Sequence, residues 1–452
     1  MKLNRRDLLM AGAALAGGAM LVRPAAASQA DKEGTGWDAS YSGAPQDAPP
    51  LPPVLPGPGG YTPVHTPNGA TLPWKVVDGV KVYHLVAEEV MHEFAPGLKA
   101  RCWGYNGRVH GPTIEGVEGE RIRIYVTNRI PAATSVHWHG VFLPSGMDGV
   151  GGLSQRSIQP GETFKYEWTW RQHGTLMYHA HHDEMTQMAL GMLGMIVVHP
   201  RQPSPGYKVD HDFAIMLSEW AIRPDTSRPD PNAMSEFNVL TMNAKCFPGT
   251  APLVVKQGDR VRIRFGNLSP MDHHPIHLHG YYFKVTATDG GQIPPAAQWP
   301  ETTVLVPTGA TRDVEFKADA LGDWAMHCHM THHVMNQMGH NIPNMIGMQP
   351  GDLDDRIRPL LPQYMTMGQH GMGDNMSGMA MPDNSIAMAM MRGPFDDITM
   401  GGMFTLLKVR ANSADLANPG WYANPPGTVA SLADAAELRR DGIETSAPPA
   451  GK

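Results

Sequence analysis

Hydrophobic and polar residues alternate in short runs along most of this chain, and a period of two residues predicts β-strands. Examples are RIRIYVTN at 121–128 and VRIRFGN at 261–267, and turns rich in glycine, proline and asparagine separate such runs. A helical period is weak throughout residues 75–345. We therefore predict an all-β fold for this region.

The β region repeats itself once. Four pairs of segments match in the same order along the chain: YNGRVHGPTIEGVEGERIRIYVTNRIP (105–131) with MNAKCFPGTAPLVVKQGDRVRIRFGNLSP (242–270), VHWHGV (136–141) with IHLHGY (276–281), QPGETFKYE (159–167) with PTGATRDVE (307–315), and GTLMYHAH (174–181) with GDWAMHCH (322–329). Such a repeat predicts two similar β domains, which we assign to residues 75–205 and 206–350.

Four other regions differ in composition from the β domains. Residues 1–30 combine twin arginines, a short apolar stretch and small residues, which predicts a twin-arginine export signal. Residues 31–74 are a Pro-rich arm, residues 351–402 are a Met-rich segment, and residues 403–452 contain one terminal strand and a tail. The apolar stretch is too short to span a bilayer, so we expect a periplasmic or secreted protein without a membrane anchor.

Composition and charge narrow the possible functions. The net charge is -7 and no basic stripe occurs, which makes nucleic acid a poor partner. The chain holds 31 methionines and 22 histidines, both metal-capable side chains, but only three cysteines. These cysteines do not form a disulfide framework. Cys102 and Cys246 are predicted to be small buried residues, and a disulfide between them is the less favoured alternative.

Four His-x-His pairs stand at matched positions of the repeat: His137 and His139, His179 and His181, His277 and His279, and His327 and His329. On a strand, residues i and i+2 point to the same face about 6.6 Å apart, so each pair directs two imidazoles into one space. One pair alone is more often a polar strand face. Four matched pairs are different, and eight converging imidazoles can hold a cluster of about three copper ions.

The segment HCHMTHHVMNQM (327–338) places the Cys328 thiol between two of these histidines, on the opposite face of the strand. There the sulfur can meet His274, His333 and Met338. Two imidazoles, one thiolate and a weak axial thioether make a blue-copper electron-transfer site. The backbone on either side of Cys328 leads directly to cluster histidines, so this cysteine is predicted to connect two metal sites.

With these motifs the sequence resembles the multicopper oxidases. HWHG, YHAH, HPIHLHG and HCHMTHHVMNQM match the four copper motifs of that family in order, and the resemblance covers roughly residues 75–350. It implies cupredoxin-like Greek-key β-barrels, one-electron oxidation of a donor, and four-electron reduction of O2 to water.

The resemblance also implies a role for each ligand. One type 1 copper would be bound by His274, Cys328, His333 and Met338, and one type 2 copper by His137 and His277. Six histidines would bind the type 3 pair: His139, His179, His181, His279, His327 and His329. The implied cofactors are four copper ions per chain.

Aligning the two halves pairs each type 1 ligand with a residue that does not replace it: His274 with Thr134, Cys328 with Ala180, His333 with Met185, and Met338 with Leu190. We therefore expect one blue site per chain. The halves leave no room for a middle domain, so the chain resembles the two-domain members of the family, the small laccases. In those, the cluster forms between neighbouring subunits, which implies a homotrimer.

Asp148 in HGVFLPSGMDGVGG resembles an acidic residue of the family and is a candidate catalytic proton relay. The turn chemistry of an Asp-Gly pair explains it equally well. Asp183 and Glu184 are weaker candidates, for orienting a histidine N–H. The Met-rich segment favours Cu(I) as the electron donor, because thioethers bind soft cations. We predict a copper-tolerance oxidase that uses O2, with a laccase acting on phenols and, less favoured, a copper-storage protein as alternatives.

Overall fold

Strands form at the predicted alternating runs in both halves of the repeat. The structure, a computed structural model, describes residues 49–222, 227–235, 237–334, 359, 391–398 and 400–445. The strands up to residue 199 are β1 (Val64–His65), β2 (Trp74–Val77), β3 (Val80–Ala95), β4 (Leu98–Tyr105), β5 (Ile114–Val117), β6 (Arg121–Asn128), β7 (Val136–His137), β8 (Thr163–Thr169), β9 (Gly174–Ala180) and β10 (Leu193–His199).

The strands beyond residue 199 are more numerous and include several short ones. They are β11 (His211–Trp220), β12 (Val239–Met242), β13 (Leu253–Lys256), β14 (Arg260–Asn267), β15 (His274–Leu278), β16 (Phe283–Thr288), β17 (Gly291–Gln292), β18 (Trp299–Glu301), β19 (Thr303–Val306), β20 (Thr311–Lys317), β21 (Gly322–Cys328), β22 (Met391–Arg392), β23 (Asp397–Ile398) and β24 (Phe404–Arg410). The α-helices of the described residues are short, namely α1 (Glu184–Ala189) and α2 (Ala435–Arg440). Single 3-10 turns occur at Ser145–Met147, Pro295–Ala297, Thr331–Val334 and Ser413–Leu416.

Each half is built of two sheets that enclose a hydrophobic core. In the first half the sheets have the orders β2-β3-β6-β8, with β4 beside β3, and β5-β10-β9-β7. In the second half they are β1-β11-β14-β20-β16-β17, with β12 and β18 at its edges, and β13-β24-β21-β15-β19. Inward-facing apolar side chains, such as the fully buried Trp138 and Val285, fill the two cores. The predicted all-β fold with two barrels is confirmed, and these halves are called the first and the second barrel.

Equivalent strands of the two barrels pair in the same register. The matching cross-strand pairs are Val136–Ala180 and His137–His179 in the first barrel, and Ile276–Cys328 and His277–His327 in the second. Asn128 and Asn267, which the repeat also matches, each donate a side-chain amide to two backbone carbonyls, one in the following turn and one from a distant segment of the same barrel. The repeat in the sequence is therefore a repeat of backbone pairing, which brings His-x-His motifs to equivalent places.

The last long strand belongs to the second barrel, and this corrects the boundary that we set at residue 350. Strand β24, which the sequence assigned to the terminal region, pairs antiparallel with β21 and parallel with β13. It stands where β10 stands in the first barrel, between β5 and β9. A hydrophobic strand needs hydrogen-bonded neighbours on both sides when it is buried, and β24 is buried along its whole length. Most of the Met-rich segment lies outside the described residues.

The described part of the Pro-rich arm contacts both barrels in an extended conformation. Leu51 forms a bridge with Glu120 of the first barrel, and β1 pairs in parallel with Asp212 and Phe213 of the second. An extended arm is what its proline content predicted. The arm therefore adds backbone hydrogen bonds across the boundary between the barrels.

The barrels pack through the outer face of the β9–β10 sheet and the outer face of β11 and β14. Met177, Met195 and Met216 belong to one buried apolar cluster at this contact. A Cβ at Gly266 would come within 3.2 Å of the Met177 sulfur, so glycine permits the close approach of β14. The residue before Asn267 is glycine because a side chain of the other barrel occupies that space.

A second apolar cluster under the β3–β4 hairpin encloses His110. Its ring stacks on Trp220, with centroids 5.7 Å apart and planes at 17°. Neither ring nitrogen has a hydrogen-bond partner within the described residues, and burial lowers the pKa of His110 to about 3. Cys102 and Cys246 lie buried in the same cluster, as predicted, and do not form a disulfide.

Candidate metal centres

The thiol site consists of His274, Cys328 and His333, and two paired strands and one turn bring these residues together. His274 begins β15, Cys328 ends the neighbouring β21, and His333 lies in the 3-10 turn that follows. The sulfur lies 3.2 Å from Nδ1 of His333 and 3.8 Å from Nδ1 of His274, and the two Nδ1 atoms are 3.1 Å apart. All three side chains are fully buried. One sulfur and two nitrogens that converge in this way are a donor set for a transition metal.

Polar groups around the thiol site orient its histidines. Ser269 Oγ lies 2.6 Å from Nε2 of His274, which leaves Nδ1 to face the sulfur. Nε2 of His333 lies 3.6 Å from a carboxylate oxygen of Asp272, a distance that allows attraction but is too long for a hydrogen bond. The buried Glu219 accepts the backbone N–H of Asp272 at 3.0 Å. Such outer contacts fix ring orientation at metal sites.

Burial controls the protonation of the thiol site. It raises the pKa of Cys328 to about 12 and lowers the pKa of His274 and of His333. At pH 7 the bare site therefore holds a neutral thiol and two neutral imidazoles. Neutral imidazoles can bind a metal at once, whereas the thiol gives up its proton only when a cation stabilises the thiolate.

The first quartet consists of His137, His139, His179 and His181. The ring of His137 lies 5.8 Å, 5.3 Å and 5.3 Å, centroid to centroid, from the other three rings in that order. Nδ1 of His139 and Nε2 of His179 approach to 3.4 Å, and ligand atoms of His137, His139 and His179 lie within 4.8 Å of one another. The first two His-x-His pairs are thus brought into one space.

Backbone oxygens tie the outer nitrogens of two first-quartet rings. Nδ1 of His137 donates to the carbonyl of Asp148 at 2.8 Å, and Nδ1 of His179 donates to the carbonyl of Ala180 at 3.0 Å. A carbonyl oxygen can only accept, so Nε2 of each ring is left without a proton and can bind a metal. Burial lowers the pKa of His179 to about 3, which keeps this imidazole neutral.

Acidic residues flank the first quartet, as the sequence suggested. A carboxylate oxygen of Asp148 lies 3.3 Å from Nδ1 of His137. Glu184 reaches both His179 and His181, with carboxylate-to-nitrogen distances of 3.4 Å and 3.7 Å. Asp183, in the left-handed conformation before α1, has no side-chain cap hydrogen bond. Glu184 is therefore better placed than Asp183 to orient a histidine.

The second quartet consists of His277, His279, His327 and His329. The ring of His277 lies 4.8 Å, 5.7 Å and 5.6 Å from the other three in that order, and Nε2 of His279 is 3.1 Å from Nε2 of His327. Nδ1 of His277 donates to the carbonyl of Thr302 at 2.7 Å, and Nδ1 of His327 donates to the carbonyl of Cys328 at 2.9 Å. Both quartets therefore use the same device to orient their rings.

The second quartet is more open than the first. His279 and His329 are exposed, whereas no first-quartet histidine is. Within the described residues, no hydrogen bond or ring contact joins the two quartets. Each quartet is thus one half of the predicted eight-histidine set, and this chain alone does not bring the halves into direct contact.

In the first barrel, the place that corresponds to the thiol site is filled by a glutamine that the sequence analysis missed. Ala180 and Thr134 are fully buried there, and Met185 is 64% exposed and does not point inward. Gln187 of α1 accepts a hydrogen bond from Thr134 Oγ1 at 2.6 Å and donates to the carbonyl of Ala133 at 2.8 Å. The expected absence of a second thiol site is thus accompanied by a hydrogen-bonded replacement.

A cavity of about 690 Å³ lies between the barrels beside the first quartet. Its lining includes four methionines, Met185, Met188, Met234 and Met271. Glu219, which stands behind Asp272 and His333, also reaches it. Because Met338 lies outside the described residues, its predicted axial position stays a prediction.

Two family models match the chain, both described as multicopper oxidase, over residues 87–203 and 223–347. Together these matches cover more than half of the chain. This chain belongs to the multicopper oxidases. Copper is therefore its cofactor, as in a family of copper-dependent oxidoreductases, and the cupredoxin-like fold implied by the motifs is confirmed.

The proteins similar to this chain include some named as copper resistance proteins and others named as laccases. Copper resistance protein A of Escherichia coli is 29% identical over 63% of this chain and 53% of its own length. Laccase-2 of Botryotinia fuckeliana is 28% identical over 54% of this chain and 45% of its own length. This chain spans about half the length of such relatives. The blue copper oxidase of Nitrosomonas europaea superposes with a TM-score of 0.54 at 26% identity, over 72% of this chain and 85% of that one.

The residues present fit copper. The thiol site offers a buried nitrogen–nitrogen–sulfur set, and each quartet offers imidazoles whose outer nitrogens are tied to backbone oxygens. Of the helices in the described part of the chain, none has the length and apolar character needed to cross a membrane.

Proposed function

We propose that this protein oxidises Cu(I) to Cu(II) and reduces O2 to water, in copper tolerance. Four Cu(I), one O2 and four protons give four Cu(II) and two water molecules. The observation that carries the proposal is the thiol site: His274, Cys328 and His333 converge in a buried pocket, and both chain neighbours of Cys328 are second-quartet histidines. A storage protein needs no such direct link between two centres.

In this proposal the thiol site, with Met338, would hold the type 1 copper, which would supply one-electron transfer from the donor. His137 and His277 hold the type 2 copper. The type 3 pair is held by His139, His179, His181, His279, His327 and His329. The content is four copper ions per chain, and Gln187 in place of a second thiol site supports a single blue centre.

The two quartets come together between subunits of a homotrimer. Support comes from the exposure of His279 and His329 and from the absence of contact between the quartets in the described residues of one chain. A head-to-tail contact between the first barrel of one copy and the second barrel of the next repeats around a closed ring. Eight imidazoles would then surround one cluster at each contact.

The protein's own residues prepare the site for proton and electron transfer. Buried neutral imidazoles present free nitrogens, and backbone carbonyls hold the opposite N–H groups. Asp148 lies against His137 and is proposed as the proton relay, because its carboxylate is partly exposed and can exchange protons with water.

Cu(I) is the preferred donor for two reasons. Four methionines, whose thioethers bind soft cations, line the cavity that Glu219 also reaches. Glu219 accepts the backbone N–H of Asp272, and the carboxylate of Asp272 lies near His333. The first of the relatives named above is a copper resistance protein. Oxidation of phenols is the alternative, favoured by the relatives named as laccases and by aromatic residues in the same cavity. The export signal at residues 1–30 lies outside the described residues and supports a periplasmic or secreted location.

The test is steady-state O2 uptake with Cu(I) and with a panel of phenols. We expect uptake with Cu(I) at the stated stoichiometry, and its loss in Cys328→Ser. Cys102→Ser is the matched control, because it changes a buried thiol away from the metal centres. Uptake with phenols alone would replace this function by that of a laccase, and no uptake with either donor would reject both.

A further inference from the structure

A buried ionic cluster joins the two barrels near the beginning of β9, the strand that carries His179 of the first quartet. We call Thr175, Asp212, Arg264 and Asp313 the interdomain clamp. Arg264 donates to both carboxylate oxygens of Asp212, at 2.7 Å and 2.8 Å, and to Asp313 at 3.0 Å. These three residues belong to the second barrel, and all are buried.

Thr175 is the contact that the first barrel makes with this cluster. Its hydroxyl donates to Asp313 at 2.7 Å and accepts from Arg264 at 2.8 Å. Its backbone carbonyl accepts the hydroxyl of Thr311, also of the second barrel, at 2.8 Å. One threonine thus makes three buried hydrogen bonds across the boundary between the barrels.

The same face of β9 carries the clamp contact and a quartet histidine. Thr175, Met177 and His179 alternate with residues of the first-barrel core, so all three point toward the second barrel. His179 lies four residues from Thr175, about 13 Å along the strand. Fixing Thr175 therefore fixes the position of the strand that presents His179.

A neighbouring segment of the second barrel also meets the first quartet. The turn before β20 is held by Asn267, which accepts the N–H of Gly309 at 2.8 Å. A Cβ on Gly309 would lie 4.0 Å from Cε1 of His139. His139, whose Nδ1 is 3.4 Å from Nε2 of His179, thus lies next to a turn of the second barrel.

Comparison of the two halves of the repeat shows whether the barrel fold itself requires this ionic cluster. Arg264 and Asp313 are cross-strand neighbours, and the matched cross-strand pair in the first barrel is Tyr125 and Lys165. That pair does not face another barrel, and Lys165 is exposed. A barrel of this kind therefore folds without the ion pair. Its presence only where the barrels dock indicates a role in docking.

We propose that the interdomain clamp positions the first quartet for metal binding, so that Thr175, Arg264 and Asp313 are positioning residues for the copper cluster. Directional hydrogen bonds to a buried guanidinium define one register of two surfaces, which apolar packing alone defines less sharply. The residues touch no proposed ligand, and they act through the β9 backbone. The inference deepens the proposed function, since the group that the quartet holds is the copper of that proposal.

The test compares Thr175→Val, Thr175→Ser and Asp313→Asn with the wild-type protein. Hydrogen exchange of the metal-free protein is measured for the peptide covering residues 174–182. We expect it to rise about ten- to hundredfold in Thr175→Val, because the variant loses both hydrogen bonds of the hydroxyl and each contributes about three- to tenfold to an opening equilibrium. Thr175→Ser keeps the hydroxyl and is expected to restore wild-type exchange.

The matched control is Thr163→Val, which makes the same change in an exposed, hydrogen-bonded threonine of β8. It is expected to leave exchange at 174–182 unchanged. Copper content and the type 2 electron paramagnetic resonance signal form the second readout. In Thr175→Val and Asp313→Asn the cluster copper should fall while the blue absorption of the thiol site stays at the wild-type level.

Unchanged exchange and copper content in Thr175→Val would overturn the proposal. Exchange that rises equally in every peptide of both barrels would also overturn it, because the clamp would then contribute general stability only. If the wild-type protein binds no copper at its quartets, the proposed function fails. The exchange measurement still decides whether the clamp holds β9, because it needs no metal.

Discussion

Replacing His110 by phenylalanine is expected to make the metal-free protein more resistant to acid. His110 is buried, with 7% of its surface exposed, beside Trp220 of the cluster under the β3–β4 hairpin. Neither ring nitrogen has a hydrogen-bond partner in the described residues. Burial lowers its pKa from 6.5 to about 3. Phenylalanine keeps the stacking on Trp220, and the repeat places a buried phenylalanine, Phe247, at the matched position.

The sign and the size of this change in stability follow from the difference in proton binding between the folded and the unfolded chain. Between pH 6.5 and about pH 3 the unfolded chain binds a proton at His110 and the folded chain does not, so acid favours unfolding. Lowering the pH from 7 to 5 should therefore cost about 2 kcal/mol through this residue, since each pKa unit corresponds to about 1.4 kcal/mol. The contribution is intact above pH 6.5 and is lost as the pH falls.

Urea unfolding of metal-free wild type and His110→Phe at pH 7 and pH 5 measures this difference. The other histidines titrate in both proteins, so they cancel in the comparison. We expect the variant to lose about 2 kcal/mol less than the wild type on acidification. An equal loss in both would mean that His110 is protonated in the folded state or hydrated, and the account of its burial would be wrong.

Four further predictions concern the metal centres. Cys328→Ser should remove the intense blue absorption and leave the cluster copper bound; a variant that stays blue would mean that the thiol site is elsewhere. Metal analysis should give four copper ions and one blue signal per chain, because Gln187 fills the corresponding place, and two blue signals would contradict this. Dissociation by dilution should abolish O2 reduction before the blue colour, and a fully active monomer in sedimentation would argue against an intersubunit cluster. Deleting residues 364–400 should lower Cu(I) oxidation and leave or raise phenol oxidation, and unchanged rates would make that segment passive.

The sequence predicted much of the fold because strand periodicity and ligand chemistry are local. A His-x-His motif needs only a strand to direct both rings to one face, and the spacing around Cys328 needs only a strand and a turn. The prediction was less complete for residues whose role depends on docking. Arg262 and Arg264 occupy what an alternating pattern predicts to be a solvent face, yet both are buried. Arg264 contacts Thr175 of the first barrel, and Arg262 lies over the ring of Tyr207.

Other differences have similar physical causes. Gln187 fills the position in the first barrel that corresponds to the thiol site only because α1 turns its side chain inward, and no motif in the sequence indicates that direction. Strand β24 follows the Met-rich segment, so proximity along the chain assigned it to the tail. Pairing between β21 and β24 is a long-range contact, which composition and period do not reveal.

The position of β24 has a consequence for how the protein is made. The first barrel has all its strands once residue 199 has left the ribosome, whereas the sheet that carries Cys328 lacks an internal strand until residue 410 has followed. The entropic cost of closing the long connection between β21 and β24 is small at equilibrium, because each doubling of the length of a flexible loop adds only about 0.6 kcal/mol. The cost is one of time, since distant strands pair slowly. During synthesis, therefore, Cys328, His327 and His333 all wait for the segment that contains β24, whereas every residue of the first quartet has been made well before it.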